Sequence, residues 1–108
     1  MTEVSNDYLA KIRLAVRRSA NEKTDAELKD IIQQCRADLI RMGVKSAIAN
    51  SEKNALVLGC QRAFARWQFG INGDEAERNR EDYKTMANDL RKSQSVIEES
   101  EESDDAVQ

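Results

Sequence analysis

Few side chains in this chain could do chemistry. Two cysteines, Cys35 and Cys60, stand 25 positions apart, and there is no histidine. Histidine is the commonest general base and metal ligand, so the ordinary route to proton transfer near neutral pH is missing. The cysteine spacing fits neither a disulfide framework nor a zinc site. Both cysteines fall on apolar helical faces, where a thiol acts as a small hydrophobe. Carboxylates gather at Asp74, Glu75 and Glu77, where they suit the positive end of a helix dipole better than an acid–base pair. The acids after residue 97 could attract cations, but nothing in their spacing fixes a coordination geometry. The four glycines form no phosphate cradle; they read as stops, turns and one close helix contact at Gly59. No catalytic residue, metal ligand or cofactor is expected, and the chain does not read as an enzyme.

The remaining candidates are surfaces. Lys11, Arg13, Arg17 and Arg18 face only Asp7 as a local acid, so they form a possible DNA-facing patch. That patch has no interleaved aromatics and no second basic helix beside it. Leu14 sits among these bases, away from the face made by Leu9 and Ile12. It reads either as an ordinary exposed leucine or as an apolar spot on a partner surface.

The elements that position these residues are helical. The chain has 108 residues, no proline, 40% hydrophobic and 34% charged residues, which suits one small domain of helices with solvated outer faces. Apolar spacing predicts four of them. The first spans Asn6 to Arg18, capped by Ser5, with Tyr8, Leu9, Ile12, Ala15 and Val16 inward. The second starts at a capping box, Thr24-x-x-Glu27, and carries Leu28, Ile31, Ile32, Cys35, Leu39 and Met42 to a stop at Gly43. Val44 to Asn50 is a connector with room for one helical turn. Ser51 caps the third helix, which ends near Phe69, and Gly70 and Gly73 bracket a turn. Asp74-x-x-Glu77 again has capping-box spacing, and the fourth helix buries Ala76, Tyr83, Met86, Ala87 and Leu90 before ending near Gln94. The fold class is therefore all-α, a bundle of about four helices over residues 1–97.

Charge divides the chain further. Residues 98–108 hold six acids and no base, whereas residues 1–97 hold 17 bases and 14 acids, a body of +3 within a net charge of −3. So little apolar surface cannot offset ordering entropy, and the acidic tail is expected to be disordered. No apolar run approaches the roughly 20 residues needed to span a bilayer, and neither a secretory signal nor a membrane partner is expected.

Projected at the helical period, the third helix shows two apolar strips. Leu56, Cys60, Ala63, Phe64 and Trp67 form the broad one, with Val57 at its edge. Leu58, Ala65 and Phe69 lie nearly opposite, beside Arg62 and Arg66. Such a helix is either sandwiched in its own fold or shared with a neighbour. Arginines flanking aromatics favour the second, so Leu58, Arg62, Ala65, Arg66 and Phe69, with Leu14, are expected at a subunit or partner interface.

These residues also carry a family likeness. The segments Leu39–Val44 (LIRMGV), Ala63–Gly70 (AFARWQFG) and Asn79–Leu90 (NREDYKTMANDL) resemble the small head–tail connector, or adaptor, proteins of tailed bacteriophages, also described as phage DNA-packaging proteins. The likeness spans about residues 5–92. It departs from the family where the third helix opens with NSEKNAL, in place of the Asp-Pro start of many relatives, and in the acidic tail. The resemblance implies a helical subunit of a ring beneath the portal vertex, dodecameric on the portal. It implies as partners the chain itself, the portal protein, the next connector or tail-completion protein and, non-specifically, channel DNA. Trp67, Phe69 and Tyr83 would match the family's aromatic positions. The implied location is the head–tail junction of the virion, with the host cytoplasm before assembly. The alternative is a small helical nucleic-acid-binding or regulatory protein acting through its basic first helix.

Overall fold

The computed structural model describes residues 3–69 and 73–107, with side chains over 3–69 and 75–94. Among the described residues every regular element is helical: α1 (Asn6–Ala15), α2 (Glu22–Arg41), α3 (Ser46–Ala49), α4 (Ala55–Phe69) and α5 (Gly73–Val107). Of the turn expected between Gly70 and Gly73, residues 70–72 lie outside the described residues and Gly73 already opens α5; the side chain of Asp74 is likewise outside them.

Three helix starts show how local chemistry chooses a boundary. Ser5 caps α1 as predicted, its Oγ accepting from the Tyr8 amide at 3.1 Å. The start of α2 is earlier than the Thr24 capping box predicts. Asn21 takes the cap, with Oδ1 accepting from the Lys23 and Thr24 amides at 3.0 and 3.2 Å, which places Thr24 inside the first turn. Asn54 likewise displaces Ser51 at α4, accepting from the Leu56 and Val57 amides at 2.8 and 3.1 Å. Asparagine caps at least as well as serine or threonine. At the far end of α1 the helix stops at Ala15 rather than Arg18, because Arg17 turns into the left-handed region at φ 56°. Gly43 ends α2 as expected, at φ 109°.

α4 is the hub, packed by α1, α2 and α5, while α3 rests on α2. One core joins Tyr8, Leu9 and Ile12 of α1 to Leu28, Ile32, Cys35 and Leu39 of α2, Ile48 of α3, Val57, Cys60 and Phe64 of α4, and Tyr83, Ala87 and Leu90 of α5. Phe64 stands at its aromatic centre, edge-on to Trp67 and Tyr83 with ring centroids 5.5 and 4.9 Å away. Two residues assigned to the core from spacing are exposed, Leu56 at 54% and Met86 at 43%. Helical projection gives direction but not coverage, and Leu56 lies in the first turn of its helix. A Cβ at Gly59 would meet Met86 Sδ at an ordinary 3.8 Å, so the close contact expected there has room for alanine.

Polar side chains lock the helices to one another. Gln61, fully buried on α4, donates from Nε2 to the Ile32 carbonyl of α2 at 3.2 Å. Arg36 on α2 is 0% exposed, and its guanidinium lies 3.5 Å from Glu52 Oε2, which also accepts from the Ser5 amide at 2.9 Å. Glu52 thereby ties the start of α1 and the middle of α2 to the loop before α4. Gln94 clasps the end of α2 to α5, accepting from the Lys45 amide at 3.0 Å and donating to the Gly43 carbonyl at 3.1 Å.

The backbone of α5 has no break at residue 97, where a boundary between body and tail was expected. Extending a helix that already exists avoids the costly nucleation step, so a polar, acidic segment can follow it. The side chains of residues 98–108, the segment expected to be disordered, lie outside the described residues.

Candidate interaction groove

The strip predicted to face a neighbour is used largely inside the protomer. Ala65 is 0% exposed, and Leu58 and Phe69 are half-buried against the core. The guanidinium of Arg18 lies over the Phe69 ring, 5.7 Å from its centroid, covering the aromatic residue expected to reach outward. The two strips are thus the edges of one wide inward face, because α1 and α2 flank α4 as well as α5. Arg62 is partly exposed, and Arg66 is exposed while donating from Nε to the Ala15 carbonyl at 3.1 Å. That bond sets a cation at the negative end of the α1 dipole.

The candidate DNA-facing bases are also divided by the fold. Arg13 makes a two-pronged ion pair with Asp25 at 2.7 and 3.0 Å, so its charge serves the α1–α2 packing. The hydrogen bond from Arg13 holds the Asp25 carboxyl below its ordinary range. Lys11 remains exposed on α1, and Arg17 and Arg18 are exposed beyond the helix end. No single stripe joins the four.

A different grouping emerges where the end of α1 meets α4 and the start of α5. A groove of about 600 Å³ opens there, lined by Leu14 and Arg17 from α1 and its cap, Arg66 from α4, and Glu75, Arg78 and Asn79 from α5. Leu14 is the most exposed large hydrophobic described, at 78%. Three guanidinium groups against one carboxylate make the lining cationic. Such a surface suits an anionic partner that also offers apolar contact. Leu14 and Arg66 were legible as surface candidates, and Arg17 as a base. Arg78 was not, because only the antiparallel return of α5 brings it beside residue 66. Arg36 and Gln61 also escaped the sequence, although each falls at helical spacing from buried apolar neighbours, Ile32 and Val57, and that was a usable signal.

The thiols are poor candidates for chemistry. Burial pushes Cys35 well up from its ordinary value and raises Cys60 to about 11, so both are protonated near neutral pH and inaccessible. No group of three or more potential metal ligands occurs among the described residues. No described helix is long and apolar enough to cross a membrane.

No protein-family model matches this chain, and neither a curated protein nor a solved structure is significantly similar to it.

Proposed function

We propose that this chain is a structural subunit that acts by assembly, in the manner of the phage head–tail connectors its sequence pattern resembles. The observation that carries this reading is Leu14, a large side chain 78% exposed in a groove with Arg17, Arg66 and Arg78. An exposed apolar side chain framed by arginines suits a partner surface, since arginine is enriched at interfaces while lysine and glutamate are depleted there. Buried polar locks at Arg36 and Gln61 support the same reading, since a ring subunit must present one fixed shape. In this reading the chain forms a ring with itself beneath a portal protein and seats the next connector or tail-completion protein. DNA would pass through its channel without sequence-specific contact.

Light scattering of the purified chain, alone and with a portal ring, tests this. Assembly in either setting is expected, and Leu14→Asp should weaken it while leaving helicity intact. A strict monomer that ignores the portal sinks the proposal.

One observation favours a second reading, a nucleic-acid-binding protein: Arg17 and Arg18 are exposed, with Arg66 and Arg78 near the first of them. Duplex affinity that falls steeply with salt would support it, and absence of binding near physiological ionic strength would remove it.

A further inference from the structure

We infer that the groove at Leu14 and Arg17 receives the acidic C-terminal segment, residues 98–108, of a second copy of this chain. The inference rests on the assembly reading and specifies the contact through which copies join.

Charge is the first argument. The groove sets Arg17, Arg66 and Arg78 against Glu75 alone, and the segment carries Glu98, Glu99, Glu101, Glu102, Asp104 and Asp105 with no base. Guanidinium–carboxylate hydrogen bonds are charge-assisted and frequently two-pronged, which adds geometric specificity to the attraction. Apolar matching is the second. Leu14 is uncovered in the groove, and the segment supplies Ala106 and Val107 after its last acid.

Geometry decides which copy supplies the segment. The groove lies at the start of α5, beside Arg78 and Asn79, whereas Gln94 holds the other end of α5 against Gly43 at the end of α2. Those points are about 22 Å apart along the helix axis. Beyond Gln94 the helix continues in the same direction, away from its own groove. A chain therefore cannot fill its own groove without breaking α5, while a neighbour meets no such obstacle. Contact between one end of a copy and the opposite end of the next is heterologous. It closes into a ring when the rotation between copies permits, and otherwise extends as a filament.

The left-handed backbone at Arg17 fits this role. It places a long cation at the groove, at a position where glycine would be less strained.

The test uses a fluorescein-labelled peptide of residues 95–108 titrated into the full-length variant E98K/E99K/E101K/E102K, in which the tails of neighbouring copies no longer compete for the groove. Binding is expected by anisotropy, weakening about tenfold when Arg17→Gly and Arg78→Glu are added. It should weaken again between roughly 50 and 500 mM salt, as screening shortens the reach of the charges. Arg17→Gly removes the charge while relieving the backbone, so lost binding there cannot be blamed on unfolding. Absence of binding, or binding indifferent to the groove substitutions, overturns the inference. A tail-reversed chain that still assembles on the portal as the wild type does would overturn this contact and leave the assembly reading standing.

Discussion

Arg17 holds at the end of α1 the backbone position that Gly43 holds at the end of α2. Both helices close with the same pair of reversed bonds. At α1 the Arg18 amide reaches the Arg13 carbonyl at 3.0 Å and the Arg17 amide reaches Leu14 at 3.2 Å. At α2 the Val44 amide reaches Leu39 at 2.9 Å and the Gly43 amide reaches Ile40 at 3.0 Å. This is the Schellman arrangement, whose left-handed residue is ordinarily glycine because a Cβ there crowds the backbone. The two ends differ in the next residue along the chain. Val44 is buried in the core, whereas Arg18 is exposed and lies over Phe69.

Arg17→Gly should therefore stabilise the protein. Relief of the left-handed strain, reduced by the extra freedom glycine gives the unfolded chain, leaves a gain of roughly 0.5–1 kcal/mol. A domain of this size would then melt about 2–6 °C higher. Thermal unfolding followed by circular dichroism measures the change. A lower melting temperature would mean that the Arg17 side chain makes a stabilising contact larger than the strain.

Ala65 and Leu14 separate core from surface. Ala65→Asp buries a charge at a position with no exposure and should cost on the order of 4 kcal/mol, enough to unfold much of a marginally stable domain. Leu14→Asp should change stability by no more than about 0.5 kcal/mol. Denaturant titration of both variants decides the matter. A folded, stable Ala65→Asp chain would make that face of α4 a partner surface after all.

Acid should destabilise the fold through Asp38. Partial burial pushes its carboxyl upward, but the Tyr83 hydroxyl, donating at 2.7 Å, and the Arg41 guanidinium, at 2.8 Å, hold it below its ordinary range. Glu52 is lowered too: burial opposes the shift, and Ser5 and Arg36 outweigh it. A carboxylate whose folded value lies below its unfolded one adds stability at higher pH. For these residues that stability is full above their ordinary carboxylate range and drains as the pH falls through their lowered folded values. Urea titrations from pH 6 to pH 3 should show the decline, and Asp38→Asn should make it shallower. An unchanged slope in that variant would show that Asp38 is not a source. Tyr83→Phe should cost about 1.5–3 kcal/mol near neutral pH, the worth of a hydrogen bond to a charged acceptor.

Helical class and most of the core are written in residue spacing. Spacing alone placed Tyr8, Leu9 and Ile12, then Leu28, Ile32, Cys35 and Leu39, on buried faces, because a helix of period 3.6 turns apolar spacing directly into a face. It also placed the Gly43 stop and the helical turn in the connector, since both depend on local backbone chemistry. Where two capping residues competed, as Asn21 with Thr24 and Asn54 with Ser51, spacing marked the helix but not its first residue.

The role of each surface residue was settled instead by how the chain folds back on itself. Arg13 and Arg17 look alike in the sequence, yet one is consumed by Asp25 and the other lines the groove. Phe69 looked free until Arg18 covered it, and Ala65 until α1 and α2 closed around α4. Period assigns a direction to a side chain. Whether anything waits in that direction depends on where the chain returns, and the groove brings Leu14 within reach of Arg78 only because α5 runs back along α4.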